Sequence, residues 1–143
     1  MIRGFYPGVI AGFIGSVAIT GYFILKALLG FEVYIPDFTS VDGWSSFLIY
    51  ELGYTGIFGG IFGLVYSKFY KKIPGKGIKK GLFFGCMIGL LSNIWIAQRN
   101  YLPWLLTGLD WYLEMVAIPF TEGFLIWVTY GLVLGPVYER LNL

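Results

Sequence analysis

The sequence has no histidine and a single cysteine, Cys86. Without histidine the chain lacks the commonest zinc and haem ligand and the commonest general base. One cysteine allows no intrachain disulfide. Charge is scarce too. Only 13% of residues are charged, against 57% hydrophobic, and the mean hydropathy is +0.75. A water-soluble domain of this length needs about twice that charged share to cover its surface. The apolar side chains must therefore face lipid as well as one another. A net charge of +2 is too small to point to nucleic acid.

What the sequence has is glycine, aromatics and long apolar runs. Crossing a bilayer takes about 20 apolar residues. Four segments meet that length: 5–29, 43–67, 81–98 and 116–138. The first contains 22 uncharged residues from Gly4 to Leu25, longer than a signal-peptide core, and reads as a retained helix. Pro7 is tolerated in its first turn. Glu51 alone interrupts the second run and Glu122 alone the fourth. Between the third and fourth, Leu102, Leu105, Leu106, Leu109 and Leu113 recur at helical spacing, opposite Thr107, Asp110 and Glu114. This predicts a short amphipathic helix over 102–114, lying on the membrane surface with Trp104, Trp111 and Tyr112 at headgroup level. Asp42 is a candidate cap for the second helix.

Basic residues set the expected orientation, because they collect on the cytoplasmic side. Lys68, Lys71, Lys72, Lys76, Lys79 and Lys80 lie between the second and third runs, and Arg3 and Arg140 belong to the same side. The opposite side holds only Lys26 and Arg99, with Glu32, Asp37, Asp42, Asp110 and Glu114. The lysine loop and both termini are thus expected in the cytoplasm of a multi-pass cell-membrane protein.

The two halves resemble each other. Arg3-Gly4 with Gly8 and Gly12 matches Lys80-Gly81 with Gly85 and Gly89 at an offset of 77. Gly59-x-x-x-Gly63 through Lys68 matches Gly131-x-x-x-Gly135 through Arg140 at an offset of 72. The expected fold is therefore an all-α membrane protein of four transmembrane helices, arranged as two tandem hairpins in a parallel pseudo-repeat, plus the outer amphipathic helix.

Three features carry potential function. Small-residue stripes run along the helices: Gly4, Gly8, Gly12 and Ser16; Gly53, Gly56, Gly60 and Gly63; Gly81, Gly85, Gly89 and Asn93; and, more sparsely, Gly123, Gly131 and Gly135. Absent side chains let backbones approach, so Gly8, Gly12, Gly56, Gly60, Gly63, Gly85, Gly89, Gly131 and Gly135 are expected packing positions, within this chain or against another. A polar layer is formed by Glu51, Glu122, Lys26, Asn93 and Arg99. At helical rise the glutamates sit about 25 Å from the lysine-loop end. Either they form a proton or cation site, or they are structural: Glu51 paired with Lys26 or Arg99, and Glu122 a first-turn acid favoured by the helix dipole. Finally, Lys71, Lys72, Lys76, Lys79 and Lys80 are expected at anionic lipid headgroups. Gly75-Lys76 lacks the spacing and the following Ser or Thr of a phosphate loop. Cys86, among apolar residues, reads as a buried structural thiol.

The run from Gly59 through Phe62-Gly63-Leu64-Val65-Tyr66, then Ile73-Pro74-Gly75-Lys76-Gly77-Ile78 to Gly85, resembles the central hairpin of small, glycine-rich prokaryotic membrane proteins built from paired helical hairpins. The lysine- and isoleucine-rich composition is compatible with a thermophilic or archaeal source. This resemblance implies no activity and no functional residues.

No nucleophile–base constellation is present, so no enzyme, cofactor or metal is expected. The expected function is that of a structural or assembly subunit of a larger membrane complex, or of a homo-oligomer packed through glycine faces. The alternative is a small transporter or ion or proton channel using Glu51 and Glu122. The expected partners are the bilayer, other membrane helices and anionic lipid.

Overall fold

The computed structural model describes residues 3–33, 37–107 and 117–142, with side chains for all of these except positions 50–51, 95–107 and 142. The described residues form four helical rods and no strand. The first, α1, spans Phe5–Leu28. Pro7 lies in its first turn, where the missing N–H is not needed, and is buried. The helix ends in a left-handed glycine cap. Gly30 has φ +87°, its N–H reaches the Ala27 carbonyl, and the Phe31 N–H reaches that of Lys26 at 3.1 Å.

The second rod starts at Val41, one residue after its cap. Ser40, rather than Asp42, supplies the capping oxygen, accepting from the Gly43 N–H at 3.0 Å. Ser40 is the residue with extended backbone, so only its side chain can turn back on the first turn. Just before it, the Asp37 carboxylate accepts from the Thr39 hydroxyl and N–H, which hold its pKa below the ordinary range. From there α2 (Val41–Ser46) runs into a π-helical stretch, Phe47–Tyr54, and on into α3 (Thr55–Phe69).

A turn then leads into α4 (Ile78–Thr107), with left-handed glycines at Gly75 and Gly77. The helix continues past Gln98 without a break, through Pro103 to Thr107. Residues 102–107 thus extend α4 instead of opening a separate helix, and the rest of the expected amphipathic segment lies outside the described residues. The last rod, α5, spans Ile118–Asn142.

Among the described residues, three stretches are long and apolar enough to cross a membrane: Phe5–Leu28, Val41–Phe69 and Ile118–Leu141. Their outward faces carry large apolar side chains such as Ile57 and Leu132, which is compatible with a multi-pass membrane protein.

Packing follows the glycines. In antiparallel register, α1 lies on α3 and α4 on α5, and α1 also packs against α5. A Cβ at Gly8 would strike the carbonyl of Gly59, and one at Gly12 the carbonyl of Thr55. In the second pair, a Cβ at Gly81 would strike the carbonyl of Gly131, and one at Gly85 that of Trp127. Both stripes therefore close inside the chain.

On α3, however, the backbone contact runs through Gly59 and Gly63, while Gly56 and Gly60 receive the rings of Phe13 and Phe5. Gly89 likewise faces side chains, those of Phe124 and Trp127. Between the pairs, Ala11, Tyr66, Phe84, Tyr130, Leu134 and Tyr138 form the buried core with Ile73.

Candidate functional site

Two polar constellations sit at opposite ends of this bundle. At the first, α1 presents Tyr22 and Lys26, four residues apart on one face, and α5 presents Glu122. Lys26 Nζ lies 2.6 Å from Glu122 Oε1, and each side chain keeps 20% exposure. The Tyr22 hydroxyl donates to the same oxygen at 3.5 Å. Three rings surround the ammonium, with Tyr22 at 5.6 Å and Phe23 and Phe31 both at 5.9 Å. Charge and hydrogen bonds are thus matched locally, as an ion pair in low dielectric requires.

Among the described side chains, the partner of Lys26 is Glu122. The acid is also not a first-turn residue: α5 begins at Ile118, which puts Glu122 one position beyond that turn. The side chains of Glu51 and Arg99 lie outside the described ones. Asn93 is 1% exposed and packs its Oδ1 against Gly123, where it takes the space of a Cβ. Its Nδ2 has no hydrogen-bond partner, and no bond joins it to the ion pair.

Beside Glu122, a groove of 160 Å³ runs between α1 and α5 past Tyr22 and Thr129. It shares Ile19 and Ile126 with a second cavity of 190 Å³, bounded by Gly12, Gly15, Tyr54 and Trp127. Tyr130 closes this cavity by donating to the Gly59 carbonyl at 2.6 Å, a bond that ties α5 to α3. The walls left facing the space are almost wholly apolar.

The second constellation gathers around the lysine loop. Glu139 Oε1 accepts from the Gly77 N–H at 2.6 Å and from the Tyr70 hydroxyl at 2.8 Å. Gly77 starts the helix with φ +49°, and its free N–H needs an acceptor there. Lys80 is 8% exposed; it donates to the Tyr70 carbonyl at 2.8 Å and lies 3.7 Å from the centre of the Tyr70 ring. It is therefore folded into the loop, in contrast to the expected headgroup contact, whereas Lys71, Lys72, Lys76 and Lys79 are exposed.

Behind Lys80, Tyr66 stacks edge-on against Phe84 and Tyr138, both at 5.1 Å, and Tyr138 donates to Ser67 Oγ. The Tyr66 hydroxyl is buried without a partner. Burial, then the bond to Glu139, pushes the Tyr70 phenol up to about 12.

Sequence reasoning missed Tyr22, Tyr130, Tyr70 and Glu139. Two signals were available: Tyr22 sits one turn before Lys26, and Glu139 is the lone acid at the basic end. Cys86 is partly buried. Among the described residues no three His, Cys, Asp or Glu side chains gather where a metal could bind. Comparison with protein-family models, curated proteins and solved structures gives no match.

Proposed function

We propose that this chain is a non-catalytic integral membrane protein, acting as a structural or assembly subunit of a larger membrane complex or of a homo-oligomer. The observation that carries this reading is the Lys26–Glu122 pair. Glu122, one of the two acids that could have formed an ion site, is neutralised by a lysine of α1 and joins α1 to α5. Gly4, Gly8, Gly12, Gly59, Gly63, Gly81, Gly85, Gly131 and Gly135 are likewise met by backbone of the same chain. What is left for a partner is exposed apolar side chains, which suit lipid or neighbouring helices.

In this reading the chain crosses the cell membrane four times, with both termini and the lysine loop in the cytoplasm. The two hairpins form a parallel repeat. Support comes from the close approaches, where Gly8 on Gly59 corresponds to Gly81 on Gly131. That correspondence has offsets of 73 and 72 residues, the former one helical turn short of the 77 that the glycine spacing alone favours. Gentle purification tests the proposal. It predicts a stoichiometric set of other membrane subunits or a defined oligomer. A lone monomer with no companion would contradict it.

A small transporter or ion or proton channel is the second reading. It is favoured by the groove that runs from Glu122 to the apolar cavity between the hairpins. It requires solute or ion flux in vesicles that disappears on Glu122→Gln. Flux that survives both Glu122→Gln and Glu51→Gln would leave the glutamates as scaffolding.

A further inference from the structure

We infer that the crevice between the lysine loop and the end of α5 is a discrete site for one anionic phospholipid headgroup, read out by Lys76, Lys79 and Arg140. The inference rests on the reading that the lysine loop lies at a membrane surface, and it deepens that reading by naming which cations select the lipid. The crevice has a volume of 920 Å³ and opens widely outward. Lys76 rims it from the loop, Lys79 from the first turn of α4 and Arg140 from α5, while Ile78 and Pro136 line it.

Three cations thus line one crevice from the loop, α4 and α5. All three are exposed, and no carboxylate among the described residues forms an ion pair with them. The one acid in the crevice is Glu139, and its Oε1 is held by the Gly77 N–H and the Tyr70 hydroxyl. The start of α4 is therefore capped from within, and the attraction for an anion comes from the side chains. Lys80, buried against Tyr70, contributes no exposed charge. Lys71 and Lys72 are exposed but do not line the crevice.

Ile78, 55% exposed beside the cations, decides between lipid and free phosphate. A free anion gains nothing from that apolar surface, whereas the glycerol and first methylenes of a lipid cover it. Basic pockets beside membrane helices recognise anionic headgroups on this physical basis.

The test is native mass spectrometry of the detergent-solubilised full chain, titrated with phosphatidylglycerol or phosphatidylcholine. Wild type is expected to retain one phosphatidylglycerol in preference to phosphatidylcholine. The double variant Lys76→Gln/Arg140→Gln should bind it about 25-fold more weakly, at about fivefold per removed charge. The charge-matched double variant Lys71→Gln/Lys72→Gln should bind within about twofold of wild type, because its charges lie outside the site. Equal weakening in the two double variants would overturn the discrete crevice but leave anionic lipid at the loop. No preference in wild type would overturn both. Displacement of the lipid by millimolar inorganic phosphate would show a free-anion site and also overturn the inference.

Discussion

A methyl group added at Gly131 would meet backbone, the carbonyl of Gly81 and the Cα of Gly85, neither of which can swing aside. Gly131→Ala is therefore expected to destabilise the protein by about 1–3 kcal/mol, the usual cost of overpacking. Gly21, on the same kind of apolar helix, has nothing within 4 Å of a Cβ. Gly21→Ala should be neutral or stabilising by up to about 1 kcal/mol through helix propensity. Thermal midpoints in detergent check both, and an undisturbed Gly131→Ala would remove the close contact from the account.

Tyr70 makes a second prediction at this scale. Its folded-state pKa is raised to about 12, so the fold favours the neutral phenol. The stability it contributes is complete below the ordinary tyrosine value near about 10 and is lost as pH rises through the folded value. An alkaline loss of stability in that window should be blunted by Tyr70→Phe, as followed by thermal midpoint against pH.

The elements were legible because bilayer-length apolar runs leave few alternatives: α1 begins at the expected residue and ends one short of it. What periodicity cannot fix is rotation about the helix axis. Gly56, Gly60 and Gly63 recur at helical spacing, yet the backbone contact falls on Gly59 and Gly63 because the Phe5 and Phe13 rings take the neighbouring positions. The pairing of Lys26 escaped for the same reason, since a sequence shows its height in the membrane but not which helix it faces. The break expected after Gln98 is absent, because leucine spacing over 102–114 indicates a helix but not whether it is continuous with the one before it, and α4 carries on to Thr107.

Glu139 binds three elements at once: the turn at Tyr70, the start of α4 and the end of α5. Glu139→Gln weakens two charge-assisted bonds and is expected to lower stability by about 1–2 kcal/mol. Amide exchange at Gly77 should quicken, and exchange unchanged from wild type would show that the cap is not held by this carboxylate.

At the scale of the whole molecule, two glycine-closed helix pairs meet through α1 and α5, with the Lys26–Glu122 pair at one end and the tyrosine cluster at the other. Glu122→Gln leaves the Lys26 ammonium without its counter-charge. A lowered thermal midpoint is expected, with a smaller shift than for a wholly buried pair because each side chain is 20% exposed. Lys26→Met/Glu122→Leu should recover much of that loss, since it removes both charges together. A double variant no more stable than the single one would mean that the pair does not couple α1 to α5.

Closure of the glycine faces within one chain is tested most directly by light scattering of Gly59→Leu in detergent, recorded through its thermal transition. Such closure predicts an unchanged protein mass per particle and a lowered midpoint. A particle of half the mass with the wild-type midpoint would place the glycine contact between copies and contradict it.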